Sequence, residues 1–292
     1  MTVATPDQWL AGARPRTLPA AVAPVLAGTG VAAFHDAAVW WKALLALVVA
    51  LALQVGVNYA NDYSDGVRGT DEDRVGPMRL VGSGAAPAGA VKRAAFLSFG
   101  VAAVAGLLLA LTSAWWLVLV GAVCVVAAWY YTGGERPYGY RGLGEVMVFV
   151  FFGLVAVVGT TFVQLGSAPL EAWWAGSGVG ALACAILVAN NLRDIPTDTE
   201  AGKRTLAVVL GDVQTRYLFS FLVALAGVFL VGVVLETSAV ALLGFAYLVA
   251  AVPATRIVLG PATGPSLIPV LQKTGTAELL YAAGLFLGIA FA

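Results

Sequence analysis

Asn61, Asp62, Asp65 and Asp71 follow one membrane-length apolar run, and Asn190, Asn191, Asp194 and Asp198 close another. Acids at a membrane boundary are costly unless something cationic holds them. Two such groups point to a shared metal site. Mg²⁺ binds through a few carboxylates and fills its remaining positions with water and substrate phosphate oxygens. The chemistry implied is the handling of a diphosphate at a membrane face. Asn58, Asn61 or Asp62, and Asp65 recur at helical intervals, so one face of a helix end presents them together. Asn190, Asp194 and Asp198 are spaced by four and again share a face. Pro196 interrupts that second stripe. It lacks an amide hydrogen and turns Ile195 away from helical geometry, which predicts a bend before Asp198. Glu72 and Asp73 read as solvated loop acids.

Basic residues complete such a site. Arg68, Arg74 and Arg79 follow the first cluster, and Lys203 and Arg204 follow the second. Arginine matches phosphate oxygens with two parallel hydrogen bonds, and lysine acts as a point charge. The same residues also satisfy an inside-positive charge pattern with no ligand at all. Gly202-Lys203-Arg204-Thr205 lacks the upstream glycine spacing of a P-loop. A third stretch carries Tyr130, Tyr131, Tyr138, Tyr140, Arg141 and Glu145. Its tyrosines suit either an interfacial belt or the stabilisation of a carbocation by their π faces. Glu145 suits a base or the start of a helix.

The elements that must position these groups are transmembrane helices. Of the 292 residues, 60% are hydrophobic and 11% charged, and the mean hydropathy is +0.90, which places the chain in the membrane. The expectation is one all-α intramembrane domain of about nine spans, near 17–34, 38–60, 94–112, 114–131, 143–164, 172–192, 215–235, 238–256 and 276–292. With the N-terminus inside, 15 of the 16 Lys and Arg residues fall on the cytoplasmic side and only Lys42 on the other. Trp40-Trp41, Trp115-Trp116 and Trp173-Trp174 open spans on the opposite face, as an aromatic belt does. The long loops all lie on the cytoplasmic side, so the chemistry belongs there, with the C-terminus on the opposite side. A net charge of +0 gives no sign of nucleic-acid binding. Cys124 and Cys184 lie in apolar runs and read as core residues, and His35 reads as a solvated loop residue. Thr5, Pro6 and Gln8 predict a capped interfacial helix, with Trp9 and Leu10 in the interface and Arg14 and Arg16 facing headgroups. Gly176 with Gly180, and Gly284 with Gly288, allow close helix approach.

At its acidic clusters the chain resembles the UbiA superfamily of intramembrane prenyltransferases. The N-D-x-x-D motif of that family runs here from Asn61 to Asp65, and its later D-x-x-x-D motif from Asp194 to Asp198. Residues 13–20, 74–81, 131–134 and 190–206 are similar to the branch that prenylates 1,4-dihydroxy-2-naphthoate in menaquinone biosynthesis. One departure is local. The general pattern often has a third acid where this chain has Gly69, and Asp71 comes two residues later. The resemblance implies a nine-helix bundle in the inner membrane that binds a polyprenyl diphosphate through Mg²⁺, expected as two ions. Asp62, Asp65, Asp194 and Asp198 would be the metal ligands, with Asp71 a further candidate. Lys203 and Tyr131 are expected to join them in catalysis. Asn58, Asn61, Arg68, Arg79, Tyr130, Tyr138, Arg141, Glu145, Asn190, Asn191 and Arg204 are expected to bind substrate. Another aromatic acceptor (4-hydroxybenzoate, homogentisate or a chlorophyll precursor) remains an alternative within the superfamily. A lipid-diphosphate or ion transporter is the alternative from another class.

Overall fold

The computed structural model describes residues 4–69 and 78–291, so Asp71, Glu72, Asp73 and Arg74 lie outside the described residues. The described chain is helical throughout: α1 Pro6–Ala13, α2 Pro19–Phe34, α3 Trp40–Arg68, α4 Ala88–Thr112, α5 Leu117–Tyr130, α6 Gly144–Leu165, α7 Leu170–Glu200, α8 Leu206–Leu210, α9 Asp212–Glu236, α10 Ala239–Leu259 and α11 Ile268–Ile289. Each span expected from the sequence coincides with one of these helices. By length and apolar composition six can cross a membrane, and the bent pair Pro6–Thr17 and Pro19–Phe34 adds a seventh, against nine expected. At 14 residues α5 is about 21 Å long, short of the hydrocarbon thickness. Within α11, Gln272, Lys273 and Glu278 dilute the apolar content.

The core forms around α7, whose interior residues Val179, Ala181, Leu182 and Ala185 are fully buried where α7 packs on α2, α6, α9 and α11. Small residues make this possible. A Cβ on Gly153 of α6 would lie 2.6 Å from Gly180 Cα, and one on Gly284 of α11 2.4 Å from the Leu243 carbonyl oxygen of α10. Both glycine pairs read from the sequence therefore serve close helix crossings. By contrast Leu97, Val104 and Leu111, spaced by seven along α4, are among its most exposed residues and form a lipid-facing stripe.

Both acidic helices run further than expected. α3 continues from the apolar run through the first acid cluster to Arg68 and stops at Gly69, whose φ of 73° suits glycine. That stop accounts for the missing third acid at position 69. α7 continues through Pro196 to Glu200, so Asp198 lies on the helix rather than on a bend after it. One proline removes a single ladder hydrogen bond, and the Thr197 and Thr199 hydroxyls donate to the Asp194 and Ile195 carbonyls beside it (3.1 and 2.7 Å).

On the face opposite the acids, Lys42 donates to the Thr112 and Val163 carbonyls and to Ser113 Oγ (3.0, 2.7 and 3.0 Å). Lys42 thus satisfies backbone carbonyls at the C-terminal ends of α4 and α6. His35 is the exposed turn residue expected, and its Nε2 also pairs with the buried Glu171 carboxylate at the start of α7. The tertiary contact joins residues 136 apart in sequence, and nothing in the local sequence signals it. Trp40, Trp41, Trp115, Trp116 and Trp173 are all exposed, as belt residues require.

Candidate active site

The last two turns of α3 and α7 face each other across a polar cavity of about 200 Å³. Asp65, Asn61, Asn190, Asn191, Asp194, Asp198, Arg79, Lys203 and Tyr131 all line it. Lys203 joins its two sides: its ammonium lies 3.7 Å from Asp65 Oδ2 and 3.9 Å from Asp198 Oδ1. The chain achieves this by ending α7 at Ala201 and turning through Gly202 (φ 71°), which sends Lys203 back so that its amide donates to the Asp198 carbonyl (2.8 Å). Arg79 approaches Asp65 from the third side, at 3.7 Å.

The four motif acids are held differently. Asp65 accepts from the Tyr140 hydroxyl (2.5 Å). Asp194 receives both Nε and Nη2 of Arg193 (2.7 and 2.6 Å), a bidentate pair, and the same guanidinium holds Asn190 Oδ1 at 2.9 Å. Asp62 is fully buried and does not line the cavity. Its carboxylate accepts the backbone amides of Leu80 and Val81 (2.7 and 2.9 Å), which fixes the segment carrying Arg79. Asp71 lies outside the described residues.

Several expected substrate contacts also sit away from the polar cavity. Arg68 donates to the Thr132 and Gly134 carbonyls and lies over the Tyr140 ring, so it braces the 132–140 loop. Glu145 is buried and accepts from Asn191 Nδ2 (3.0 Å), orienting a lining residue from outside the lining. Tyr130, Arg141 and Arg204 are exposed. Tyr138 and Asn58 line a second, apolar cavity. Burial pushes the Tyr138 phenol above the ordinary tyrosine range, so it stays protonated and donates to the Ala127 carbonyl (2.7 Å).

That apolar cavity, about 330 Å³, runs between α2, α3, α4, α5 and α6. It shares Ala20, Gln54, Asn61, Tyr131, Val148 and Phe152 with the polar one. Phe152 reaches this junction from a stretch of wide π-helical turns, Phe149–Val155, inside α6. Gly121 of α5 belongs to the lining and is exposed. A charged chamber that shares its wall with an apolar one suits a lipid with an anionic head.

Several further lining residues carry no individual site role in the sequence reading. Tyr140, named there only as part of the tyrosine stretch, bonds Asp65 and has Lys203 4.8 Å from its ring centroid. Thr132 donates to Asn61 Oδ1 (2.8 Å). Arg14 was expected among headgroups, but it follows the capped helix α1 in a left-handed conformation (φ 54°) and lines the polar cavity. The capping box itself is present, with Thr5 and Gln8 exchanging hydrogen bonds (2.8 and 3.3 Å). Thr17 and Gln54 complete the wall beside Arg14. The Arg-Pro-Arg-Thr run was the available signal for this elbow.

Residues 21–262 match the family model of the UbiA prenyltransferase family. The chain belongs to that family. The 1,4-dihydroxy-2-naphthoate octaprenyltransferase of Mycobacterium tuberculosis is 56% identical over 97% of each chain. The enzyme of the same name from Escherichia coli is 35% identical over 96% of this chain and 95% of its own. Among solved structures, a UbiA homolog from Archaeoglobus fulgidus bound to DMAPP and Mg²⁺ superposes with a TM-score of 0.67 at 17% identity, covering 97% of this chain and 99% of its own. At that identity the likeness concerns the fold, which is the UbiA helix bundle, and the chain is a multi-pass membrane protein of that family.

The donor set suits a divalent cation. Asp65 and Asp198, from two helices, already share one cation in Lys203, while among the described residues no three acids, histidines or cysteines converge into a cage. Mg²⁺ asks for that arrangement, because it takes few carboxylates and leaves positions for phosphate and water.

Proposed function

We propose that this chain transfers a polyprenyl group from a polyprenyl diphosphate to 1,4-dihydroxy-2-naphthoate, releasing diphosphate and CO₂ on the route to menaquinone. The observation that carries the reading is the continuity of the two cavities at Gln54, Asn61, Tyr131 and Phe152. A diphosphate fits the charged chamber, its tail fits the apolar one, and the reacting carbon falls at the junction. The 56% identity to a protein of that name over nearly the whole chain supports the choice of acceptor.

Asp65, Asp194 and Asp198 would hold two Mg²⁺ ions between the protein and the diphosphate. Bound there, Mg²⁺ supplies the positive charge that stabilises the leaving diphosphate. Arg79 and Lys203 add cationic side chains at the same oxygens, with Lys203 moving from the two carboxylates to the phosphate. Asp62 is placed to act through the 80–81 backbone, which holds Arg79 toward Asp65. When the carbon–oxygen bond breaks, its electron pair leaves with the diphosphate. The Tyr131 ring, at the junction, faces the allylic cation that remains. The acceptor ring supplies the electron pair for the new carbon–carbon bond, and the pair from the departing carboxylate restores aromaticity. Arg14, beside the junction with a buried Nη2 lacking a hydrogen-bond partner, is placed to receive the acceptor carboxylate. The acid-bearing face is the cytoplasmic face of the inner membrane, supported by the 15-to-one charge asymmetry.

The test is turnover of purified protein in detergent with a polyprenyl diphosphate and Mg²⁺. Diphosphate release together with a prenylated, decarboxylated naphthoate product is expected. Release only with 4-hydroxybenzoate or homogentisate would keep prenyl transfer and overturn the acceptor. Inert, well-folded protein with every acceptor would overturn the reaction.

A further inference from the structure

Gln54 sits in the middle of α3, 93% buried by its 7% exposure, and lines both cavities. Its amide orientation is set by its neighbours. The Thr17 hydroxyl spends its hydrogen on the Arg14 carbonyl (2.9 Å), so that oxygen can only accept from Gln54 and Asn58. It accepts from Gln54 Nε2 at 2.9 Å and from Asn58 Nδ2 at 3.0 Å. Asn58 Nδ2 also donates to the Ala13 carbonyl (2.9 Å), which fixes that amide too. Flipping Gln54 would set two acceptors against each other. The network therefore turns Gln54 Oε1 away from Thr17, and this oxygen is buried with no hydrogen-bond partner. Leaving a buried acceptor bare costs stability, and native proteins rarely do so without a ligand or water to fill the place.

Arg14 Nη2 is likewise buried and without a partner, and it lines the same cavity one turn of chain from Thr17. The elbow between α1 and α2 and the facing turn of α3 thus offer a cationic donor and a neutral acceptor to the same cavity. A carboxylate satisfies the first, and a hydroxyl hydrogen satisfies the second. An aromatic acid with a hydroxyl on the adjacent ring carbon carries both groups at fixed spacing. We infer that Gln54 Oε1 accepts a hydrogen bond from the acceptor hydroxyl that neighbours the carboxylate, making Gln54 a specificity-determining residue for ortho-hydroxylated aromatic acids. The inference rests on the acceptor reading above. The same bond draws electron density from the O–H into the ring, which favours attack on the allylic carbon.

The experiment compares 1-hydroxy-2-naphthoate with 2-naphthoate as competitive inhibitors of 1,4-dihydroxy-2-naphthoate turnover, in wild type and in Gln54→Met. In the wild type the hydroxylated acid should inhibit about 10-fold or more tightly, the worth of a hydrogen bond to an otherwise unsatisfied buried acceptor. In Gln54→Met the ratio should collapse toward one. Gln54→Ala repeats the test should the methionine variant not fold. A ratio near one already in the wild type would overturn the inference, with the oxygen then serving an ordered water. A ratio unchanged in the variants would overturn it as well. Failure of wild-type turnover with 1,4-dihydroxy-2-naphthoate would instead remove the acceptor reading and this inference with it, and the wild-type control separates the two failures.

Discussion

At the end of α3, Asp62 is completely buried and takes two backbone amides, whereas at the end of α7 the corresponding acid, Asp194, lines the cavity and is held by the side chain of Arg193. The two helix ends carry similar motifs and share one cavity, yet only one of them gives both acids to it. The difference arises from how the chain leaves each helix. After α7 it turns at once through Gly202 and returns Lys203 to the site. After α3 the cationic segment is more distant in sequence, and Asp62 is the group that fastens it, through Leu80 and Val81, so that Arg79 meets Asp65. Similar sequence motifs thus divide into acids that line the cavity and an acid that holds the backbone of a cationic segment.

Asp65→Asn gives the sharpest test of that division. It removes a cavity carboxylate shared by Arg79, Lys203 and Tyr140, and turnover should fall by about 10²–10³ or more, the scale of losing one electrostatic stabiliser of a transition state. Asp198→Asn should behave alike. Asp62→Asn should also lower turnover, but its signature is different. An amide in that place has only one good acceptor for two backbone donors, so the protein should lose about 1–3 kcal/mol of stability in a detergent melt. Steady-state assays and melts on the same preparations separate the two patterns.

Smaller effects sharpen the contrast. Tyr140→Phe keeps the ring under Lys203 and removes the hydrogen bond to Asp65. Its kcat should drop about 10-fold, since hydrogen bonds to charged groups are worth roughly 1.5–3 kcal/mol and water can replace part of this one. Full activity in the phenylalanine variant would show that the ring alone is what the site uses. Gly159→Leu addresses the apolar chamber. A Cβ at Gly159 meets nothing within 4 Å, and the residue lines the cavity about 21 Å of helix away from Glu145. Long-chain donors should lose a few-fold in kcat/KM while geranyl diphosphate is unaffected. Gly100→Leu, on the exposed side of α4, should change neither.

Much of this architecture was legible in the sequence because it rests on periodicity and local chemistry. The acid pairs recur at helical spacing, the capping box lies within four residues, and the glycine pairs mark close crossings. Asp198 was misplaced because Pro196 is judged locally, while a long packed helix tolerates a single missing hydrogen bond. The places of Arg14, Gln54 and Tyr140 in the cavity were not legible for another reason. Each acquires its role through a partner brought by the fold, such as Thr17 at the α1–α2 elbow or Asp65 across the cavity. The His35–Glu171 pair and the backbone amides on Asp62 belong to the same class. Spacing reveals which residues share a helix face, but it does not show which of them the tertiary fold turns toward a ligand.

The most direct measurement is Mg²⁺-dependent binding of a non-hydrolysable polyprenyl diphosphate analogue to wild type, Asp65→Asn and Asp62→Asn, by titration calorimetry in detergent. Asp65→Asn should abolish the Mg²⁺-dependent part of the affinity, while folded Asp62→Asn should retain it, weakened by about 10-fold through the displaced Arg79. Loss of Mg²⁺ dependence in a folded Asp62→Asn, with Asp65→Asn still responsive, would contradict the division of labour between the two helix ends.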